Sequence, residues 1–371
     1  MTTPNAIRAA VALDAGHDDD RAAFARRLGE MALATAELQT VYLGERLGLY
    51  RSLLLDGPAT AGELAQRTGT DPRYVREWLE QQATADILRV DDPSRAPDER
   101  VFRIPSGHAE ALIDEESPYL SGPLSRFLVA TAQRMPDLLD AYRTGRGVDW
   151  AAYGPDVVEA QEATNRPQFQ HFVADWIRAL PDIEGRLRDA GGRIADIACG
   201  TGWSSIWIAR HFPKVLVDGI DIDAGSIERA RQHAAREGVD DRVSFLFADA
   251  ATADGAGRYD LVTIFEALHD MGRPVEVLRT ARSLLAPGGA VLVGDERVAD
   301  AFAPGQDADR MFYGYSALAC LPNGLFDHPS VGTGTVLRPS AVEAMAREAG
   351  FGGFTVLPTE HDAFRFYRLD P

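Results

Sequence analysis

From residue 190 onward, short apolar segments alternate with longer segments in which apolar residues recur at helical spacing. Strands are predicted at 193–197, 215–220, 243–247, 260–265, 290–293, 354–357 and 364–369, and helices at 203–212, 226–237, 274–285 and 339–349. Apolar strands that are joined by amphipathic helices form a parallel sheet covered on both faces. The last two strands are close in sequence, so they should pair as an antiparallel hairpin at one edge. The sequence therefore predicts an α/β, Rossmann-like domain over residues 189–371.

The front of the chain has a different pattern, which is typical of a winged-helix domain over residues 1–106. Thr60 and Glu63 have the spacing of a capping box at the start of a helix. The expected elements are helices at 20–56, 63–68 and 72–85, followed by strands at 87–90 and 100–104. Two helices joined by a turn and followed by a two-stranded ribbon are the winged-helix arrangement.

Two further regions are predicted to serve a binding site rather than the sheet. Residues 107–188 read mainly as helical, with one helix at 167–180, and we expect them to bridge the domains and cover a pocket. The segment 298–336 follows the fifth strand and is long for a connection. Insertions of this length usually carry function.

The composition favours a globular protein of two domains in a reducing compartment. The chain has 371 residues, of which 45% are hydrophobic and 25% are charged. It has no apolar segment close to the ~20 residues that span a bilayer, and no secretory signal is expected after Met1. Its two cysteines, Cys199 and Cys320, cannot form a disulfide framework. We therefore expect a cytoplasmic protein without a membrane partner.

The formal net charge of −18 disfavours nucleic acid as a partner, because phosphates would be repelled. The second helix of the winged-helix pair carries Arg73 and Arg76 but also Glu77 and Glu80, which is a poor match to a phosphate backbone. We therefore expect this domain to form a homodimer and to cover a pocket for a small-molecule substrate. A winged-helix transcription regulator with a ligand-sensing domain is the alternative.

The strongest chemical signal is the sequence Asp196-Ile-Ala-Cys-Gly-Thr-Gly202, which lies between a predicted strand and a predicted helix. Glycines let a backbone approach a ligand closely, and a helix N-terminus offers unpaired N–H groups. Asp221 ends the second strand, where a carboxylate can bind both hydroxyls of a ribose. Asp249 ends the third strand, where it can accept from the amine of an adenine. The pattern predicts a site for a ribose, an adenine and a positively charged group.

These motifs resemble those of the class I S-adenosylmethionine-dependent methyltransferases, in the loop 196–202, Gly219-Ile-Asp221, Asp249-Ala250 and the turn 282–289. Ala198 stands where this family normally has glycine. The front half is similar to the winged-helix domains of bacterial small-molecule methyltransferases and of plant-type O-methyltransferases that use one to dimerise. The resemblance implies S-adenosylmethionine as the cofactor, bound by Asp196, Ala198, Gly200, Gly202, Asp221, Ile222, Asp249, Ala250, Phe265 and Glu266.

NAD is the main rival ligand for the glycine loop. A dinucleotide loop normally reads Gly-x-Gly-x-x-Gly, but Ser205 stands where the third glycine would be. Asp196 ends the strand before the loop, and a carboxylate there suits a cationic cofactor. Both features favour the sulfonium compound.

The fourth strand leads into His269-Asp270, a pair that resembles the His-Asp pair of plant-type O-methyltransferases. The resemblance implies that His269 removes a proton from the acceptor, and Glu296 at the end of the fifth strand could orient its ring. Capping of the following helix or packing at the domain seam is the other role open to His269. Weaker candidates for the site are Tyr153, Asn165, Arg166, Tyr313, Tyr315 and His361. The sequence shows no metal-ligand spacing, so no metal is expected.

The predicted function is transfer of a methyl group from S-adenosylmethionine to a small organic acceptor, with a secondary-metabolite hydroxyl as the expected type. The sequence leaves the acceptor atom open among oxygen, nitrogen, carbon and sulfur. The His269-Asp270 pair favours oxygen, because a hydroxyl must lose a proton during the transfer.

Overall fold

The computed structural model describes residues 17–253, 255–326 and 329–371, so the first sixteen residues of the predicted winged-helix domain lie outside it. The described chain forms two compact units, of which the first ends at Ile113 and the second begins at Asp114. The boundary predicted at residue 106 falls at the start of helix Ser106–Ile113, which belongs to the first unit.

The first unit has the winged-helix pattern. Its elements are helices His17–Arg46, Leu49–Leu55, Ala61–Thr68 and Pro72–Thr84, strands β1 (Arg89–Val90) and β2 (Phe102–Arg103), and helix Ser106–Ile113. The two strands pair antiparallel, as predicted. The single helix predicted at 20–56 was wrong, because Gly48 adopts a φ of 70° and divides it in two.

Local side-chain bonds explain where the helices of the first unit begin and how they pack. The predicted capping box is present, since the Glu63 carboxylate accepts from the Thr60 N–H at 2.8 Å and the Thr60 hydroxyl accepts from the Glu63 N–H. Tyr50 and Trp78 are buried and meet edge to face in the core. The indole N–H of Trp78 donates to the carbonyl of Thr40 at 2.9 Å, which ties the second helix of the pair to the long first helix.

The second unit starts with a set of helices. Their bounds are Leu124–Gln133, Met135–Thr144, Pro155–Arg178 and Pro181–Asp189, with a short 3₁₀ turn at Trp150–Tyr153. The helix start predicted at Pro167 was wrong, because the helix begins at Pro155. Pro155 is also a proline, and proline is favoured in the first turn of a helix. Pro167 lies buried within this helix. Side chains before and after Pro167, including Val157 and Val173, are also buried, and their packing keeps the helix continuous through the proline.

A seven-stranded sheet forms the centre of the second unit. Its strands are β3 (Gly192–Ile197), β4 (Val215–Asp221), β5 (Val243–Phe247), β6 (Tyr259–Phe265), β7 (Leu285–Glu296), β8 (Gly353–Val356) and β9 (Phe364–Asp370), in the order β5-β4-β3-β6-β7-β9-β8. The strands β3 to β7 are parallel, and β8 and β9 form the predicted antiparallel hairpin at the edge. The expected α/β, Rossmann-like fold is confirmed.

Helices cover both faces of this sheet. They are Trp203–His211, Ala224–Glu237, Pro274–Leu284 and Pro339–Glu348, each within two residues of its predicted bounds. The strand β7 starts earlier than predicted, at Leu285, and an irregularity in its pairing with β6 accommodates the glycine turn near its start. Because β3 and β6 are central and parallel, their carboxyl ends open at the same edge of the sheet.

The long segment 298–336 is partly helical. It contains helix Asp307–Tyr315, a π-helical turn Ser316–Cys320 and a short helix Leu321–Gly324. A π-helical turn is uncommon and occurs frequently at functional sites. Within the described ranges, no helix combines the length and the apolar composition needed to cross a lipid bilayer.

Candidate functional site

A cavity of about 1660 Å³ opens at the carboxyl edge of the parallel strands. Its floor is formed by the residues that follow β3, β4, β5, β6 and β7. Helices Leu124–Gln133 and Pro155–Arg178 and the segment 311–326 contribute its walls. The helical stretch and the insertion that were predicted to serve a pocket therefore both line this cavity.

The glycine loop after β3 has the backbone shape that its sequence predicts. Gly200 and Gly202 have positive φ angles of 52° and 85°, and Ala198 has one of 57°. A Cβ atom on Gly202 would come within 2.6 Å of the Phe245 ring, so the buried side of the loop accepts no side chain. A Cβ atom on Gly200 would meet no atom within 4 Å, so this residue borders open space of the cavity.

Asp196, the first residue of this loop, stabilises it through hydrogen bonds of its side chain. Its buried carboxylate accepts hydrogen bonds from the hydroxyls of Ser204, Ser205 and Thr263 at 2.5, 2.6 and 2.7 Å. Burial raises the pKa of Asp196, and the three hydroxyl donors counteract part of that rise. The carboxylate thus joins the end of β3 to the first turn of the next helix and to β6.

Asp221, at the end of β4, binds the backbone of the same loop. Its carboxylate accepts from the Gly200 N–H and from the Asp223 N–H, both at 2.8 Å. Burial raises the pKa of Asp221, and these two backbone donors oppose the rise. Ile222, the next residue, lines the cavity and is exposed. The arrangement places a carboxylate and an apolar side chain beside the glycine loop.

Asp249 follows β5 and is paired with an arginine that the sequence reasoning missed. The Arg273 guanidinium lies 2.5 Å from one carboxylate oxygen of Asp249, and the Ala251 N–H donates to the other at 2.8 Å. Ala250 and Arg273 line the cavity with Asp249. No local motif marks Arg273, which comes to this place because its helix begins beside the end of β5.

Glu266 follows β6 in a strained conformation, with a φ of 51°. Its carboxylate accepts from the Asn165 amide at 2.5 Å, which joins β6 to the helix Pro155–Arg178. Burial raises the pKa of Glu266 to about 7, although the positive charge of His269 and the amides of Gln161 and Asn165 oppose the rise. This group therefore changes charge near neutral pH. Phe265, which precedes it, also lines the cavity.

His269 sits at the cavity wall among three carboxylates. Its Nδ1 lies 2.7 Å from Asp295 and 2.9 Å from Glu296, and its Nε2 lies 3.3 Å from Asp270. Glu296 contacts the ring as expected, whereas Asp295 was not anticipated although it is adjacent in sequence. Asp270 is more exposed to the cavity than His269, with a side chain that is 28% accessible against 2%.

The charges around His269 alter its proton affinity. Burial alone would lower the pKa of His269, but the negative charges of Glu296, Asp270 and Asp295 outweigh it, so the pKa lies well above its ordinary value. Burial raises the pKa of Glu296 well above its usual range as well. The Nδ1 edge of the ring faces Asp295 at 2.7 Å, and the Nε2 edge faces Asp270 at 3.3 Å.

Most of the predicted site residues line this one cavity. They are Asp196, Ala198, Gly200, Asp221, Ile222, Asp249, Ala250, Phe265, Glu266, His269, Asp270, Tyr315 and His361. The ring of His361 stacks on Phe364 with centroids 4.9 Å apart, and its Nε2 lies 3.2 Å from a Gln168 oxygen. Burial lowers the pKa of His361, which favours the neutral ring.

Four predicted residues point elsewhere. Gly202 is the buried last residue of the loop, and the Tyr153 hydroxyl donates to the Leu318 carbonyl at 2.8 Å. Arg166 lies over the Trp203 ring at 4.4 Å in a neighbouring surface crevice. Tyr313 is 43% exposed outside the cavity. None of these four residues is part of the cavity lining.

Comparison with known proteins connects both units to characterised families. A family model described as "Methyltransferase domain" matches residues 188–324, and one described as "Rv2258c-like winged HTH domain" matches residues 35–113. The solved structure of human N-acetylserotonin methyltransferase in complex with SAM is similar, with a TM-score of 0.67 and 18% identity. That similarity covers 96% of this chain and 99% of the human chain.

Two curated relatives share part of the sequence. The 27-O-demethylrifamycin SV methyltransferase of Amycolatopsis mediterranei is 40% identical over 160 residues, which are 43% of this chain and 54% of that protein. The ubiquinone biosynthesis O-methyltransferase of Ralstonia nicotianae is 30% identical over 177 residues, which are 47% of this chain and 67% of that protein. The matched part thus spans about half to two thirds of these relatives.

The raised pKa of Glu266 predicts a specific dependence of stability on pH. Between its ordinary pKa of 4.5 and about 7, the folded state holds a proton that the unfolded state has lost, so this group destabilises the fold as pH rises. One pKa unit corresponds to about 1.4 kcal/mol, so the effect approaches about 3 kcal/mol above neutral pH and vanishes near pH 4. Glu266→Gln should remove it, because the amide keeps an acceptor for Asn165.

The measurement is urea unfolding of the wild type and Glu266→Gln at about pH 5 and pH 8. We expect the variant to gain stability over the wild type at the higher pH, by roughly 2–3 kcal/mol more than at the lower pH. An equal difference between the two proteins at both pH values would contradict the assigned pKa.

Proposed function

Because the chain belongs to the S-adenosylmethionine-dependent methyltransferases, we propose that it transfers the methyl group of this cofactor to an oxygen of a small organic acceptor. One observation carries the proposal. The glycine loop and Asp221 line one part of the cavity, and the His269–Asp270 pair lines another part of the same cavity. The cavity exceeds the roughly 300–1,000 Å³ of pockets for one drug-sized ligand, so it has room for a cofactor and an acceptor together.

The residues of the loop fit this cofactor. Gly200 leaves open space where a ligand can approach the backbone, and the Asp221 carboxylate beside it can accept from the two ribose hydroxyls. Asp249 and Ala250 would contact the adenine, and the apolar Ile222 would pack on its face. Glu266 adds negative charge to the wall, which suits the positively charged sulfonium end.

The bound cofactor supplies an electrophilic methyl group on a sulfonium that leaves readily. The protein must align the acceptor with that methyl group and take up the acceptor's proton. We assign the second task to His269 with Asp270 beside it. Asp295 holds Nδ1, so Nε2 is the nitrogen left to accept a proton at the cavity wall. Because the neighbouring carboxylates raise the pKa of the ring, its neutral form is a stronger base, and this form becomes more populated as the pH rises.

The names of the relatives and the lining of the cavity support an acceptor class. One curated relative is named a 27-O-demethylrifamycin SV methyltransferase, and the other a ubiquinone biosynthesis O-methyltransferase. The cavity of this chain has aromatic walls, including Phe265, Phe364 and Tyr315. Planar, largely apolar molecules pack well on such walls. A hydroxyl-bearing secondary metabolite is therefore the acceptor that we propose.

The long first helix supports a homodimer as the working assembly. Phe24, Leu28, Met31 and Leu38 are exposed and recur at helical spacing, so they form one apolar stripe along helix His17–Arg46. A stripe of this kind is unfavourable in water unless another surface covers it. A second copy of the chain would cover it with an identical stripe, as a two-fold symmetric dimer does.

A charge change at Asp221 tests the cofactor site. Asp221→Asn should weaken binding of S-adenosylmethionine by about 10- to 100-fold, because one charge-assisted acceptor of a ribose hydroxyl is lost. Isothermal titration calorimetry measures this affinity. Asp223→Asn is the matched control, since it removes the same charge two residues away and keeps a good helix cap. Equal affinities for Asp221→Asn and the wild type would remove Asp221 from the site.

Replacement of His269 tests the proton acceptor. His269→Gln should lower the rate of methyl transfer to a hydroxyl acceptor by about 10²- to 10⁴-fold, because the base is lost. Cofactor affinity should change little, since the glycine loop remains intact. The rate is measured as S-adenosylhomocysteine formed with an acceptor found by mass-spectrometric screening. A fully active His269→Gln enzyme would exclude the base role.

Substitutions on opposite faces of the first helix test the proposed dimer. Leu28→Glu combined with Met31→Glu places two charges on the stripe and should convert the dimer to a monomer in analytical ultracentrifugation. Leu33→Glu is the matched control, because Leu33 is 60% exposed but lies on the other face of the same helix. A wild-type chain that sediments as a monomer would overturn the proposal.

A further inference from the structure

The fold brings together three potential metal ligands that the sequence spacing does not reveal. Nitrogen, oxygen and sulfur donor atoms of His269, Asp270 and Cys320 all lie within 4.8 Å of one another. All three residues line the cavity. We propose that they form a binding site for a divalent transition-metal ion of the zinc type, and that the ion competes with the catalytic role of His269.

The geometry of the pair His269 and Asp270 suits a shared metal ion. Zinc binds nitrogen and oxygen ligands at about 2.0–2.2 Å with tetrahedral angles, so neighbouring ligand atoms lie roughly 3.3–3.5 Å apart. The Nε2 of His269 lies 3.3 Å from the Asp270 carboxylate. This oxygen of Asp270 is buried, and the polar groups nearest to it are the ring of His269 and the thiol of Cys320. A metal ion would bind between these three groups.

Cys320 completes the donor set. It is the last residue of the π-helical turn Ser316–Cys320, which belongs to the long insertion. Its sulfur lies within 4.8 Å of both other donor atoms. Both cysteines of the chain are free, so Cys320 is not consumed by a disulfide.

The surroundings of His269 match those of a histidine that binds a metal. Metal-binding histidines almost always donate their second ring N–H to a carboxylate or a carbonyl, which fixes the ring and raises its basicity. Here the Nδ1 of His269 contacts Asp295 at 2.7 Å, which leaves Nε2 for the ion. The carboxylate pair Asp295–Glu296 therefore acts as the outer support of the site and not as a second metal site.

The donor types select the ion. A thiolate and an imidazole are poor ligands for Mg²⁺ and Ca²⁺, which prefer oxygen, but good ligands for Zn²⁺ and Co²⁺. Three protein ligands leave one position of a tetrahedron open, and this position faces the cavity because all three residues line it. Water or an oxygen of a bound molecule would fill it.

Metal binding has a consequence that rests on the proposed function. The ion takes the Nε2 lone pair of His269, so the ring can no longer accept a proton from the acceptor hydroxyl. Zn²⁺ should therefore inhibit methyl transfer reversibly, and a chelator should restore it.

Cobalt binding tests the site without any assay of activity. The full-length protein is freed of metal with a chelator, desalted and titrated with Co²⁺. We expect one equivalent to bind and to produce a thiolate-to-cobalt charge-transfer band in the near ultraviolet. Cys320→Ser should abolish the band and weaken Co²⁺ binding at least about 10-fold, whereas Cys199→Ser, the matched control at the other cysteine, should retain both. Asp270→Asn should weaken binding while the band remains detectable at higher Co²⁺.

Inhibition by Zn²⁺ tests the consequence. Saturating Zn²⁺ should lower the rate of the wild type at least about 10-fold, chelation should restore it, and Cys320→Ser should resist inhibition. Absence of Co²⁺ binding, or a band that survives in Cys320→Ser, would overturn the site. Metal binding without inhibition of methyl transfer would overturn the proposed competition between the metal ion and the base role of His269. A protein that binds Co²⁺ as expected but transfers no methyl group would refute the proposed function and leave the metal site standing.

Discussion

The cavity depends on one buried carboxylate, that of Asp196. An isolated charge at this depth would cost several kcal/mol, but three hydroxyl donors surround it at 2.5 to 2.7 Å. These donors come from the helix after the glycine loop and from the neighbouring strand β6. Asp196 thereby fixes the two ends of the loop with respect to the strand that carries the His269 segment. The position of the loop and that of the catalytic candidates are set by the same bond network.

Acidic side chains dominate the floor of the cavity. Asp221, Glu266, Asp270 and Glu296 all face it, and burial raises the pKa of each. A positive charge that enters such a wall lowers the pKa of these carboxyl groups, and the carboxylates that form then stabilise the charge. A sulfonium cofactor and a divalent metal ion are two cations that such a wall can accept. The charge of His269 serves the same purpose inside the protein.

Local sequence was sufficient for the elements of the sheet and for the cofactor loop. The period of the apolar residues and the glycines of 196–202 are short-range signals, and the strand ends at Asp221 and Asp249 follow from them. The helix that contains Pro167 was misplaced because a proline is equally acceptable at a helix start and, when packing supports it, inside a helix.

Contacts between distant parts of the chain were not predictable in this way. Arg273 reaches Asp249, and Cys320 reaches His269, only because the sheet and the insertion meet at the cavity. Tyr153 and Arg166 carried the right chemistry in the sequence, but a carbonyl and a tryptophan ring elsewhere hold their side chains. The direction in which a helical side chain points depends on how its helix packs. The sequence pattern does not fix the rotation of the helix about its own axis closely enough to predict this direction.

The most direct test is a crystal structure of the protein grown with S-adenosylhomocysteine. We expect the ribose hydroxyls at hydrogen-bond distance from Asp221, the nucleoside packed against the backbone of Gly200, and the sulfur directed along the cavity toward His269. Density for the nucleoside at another place, or a glycine loop that stays empty under saturating ligand, would contradict it.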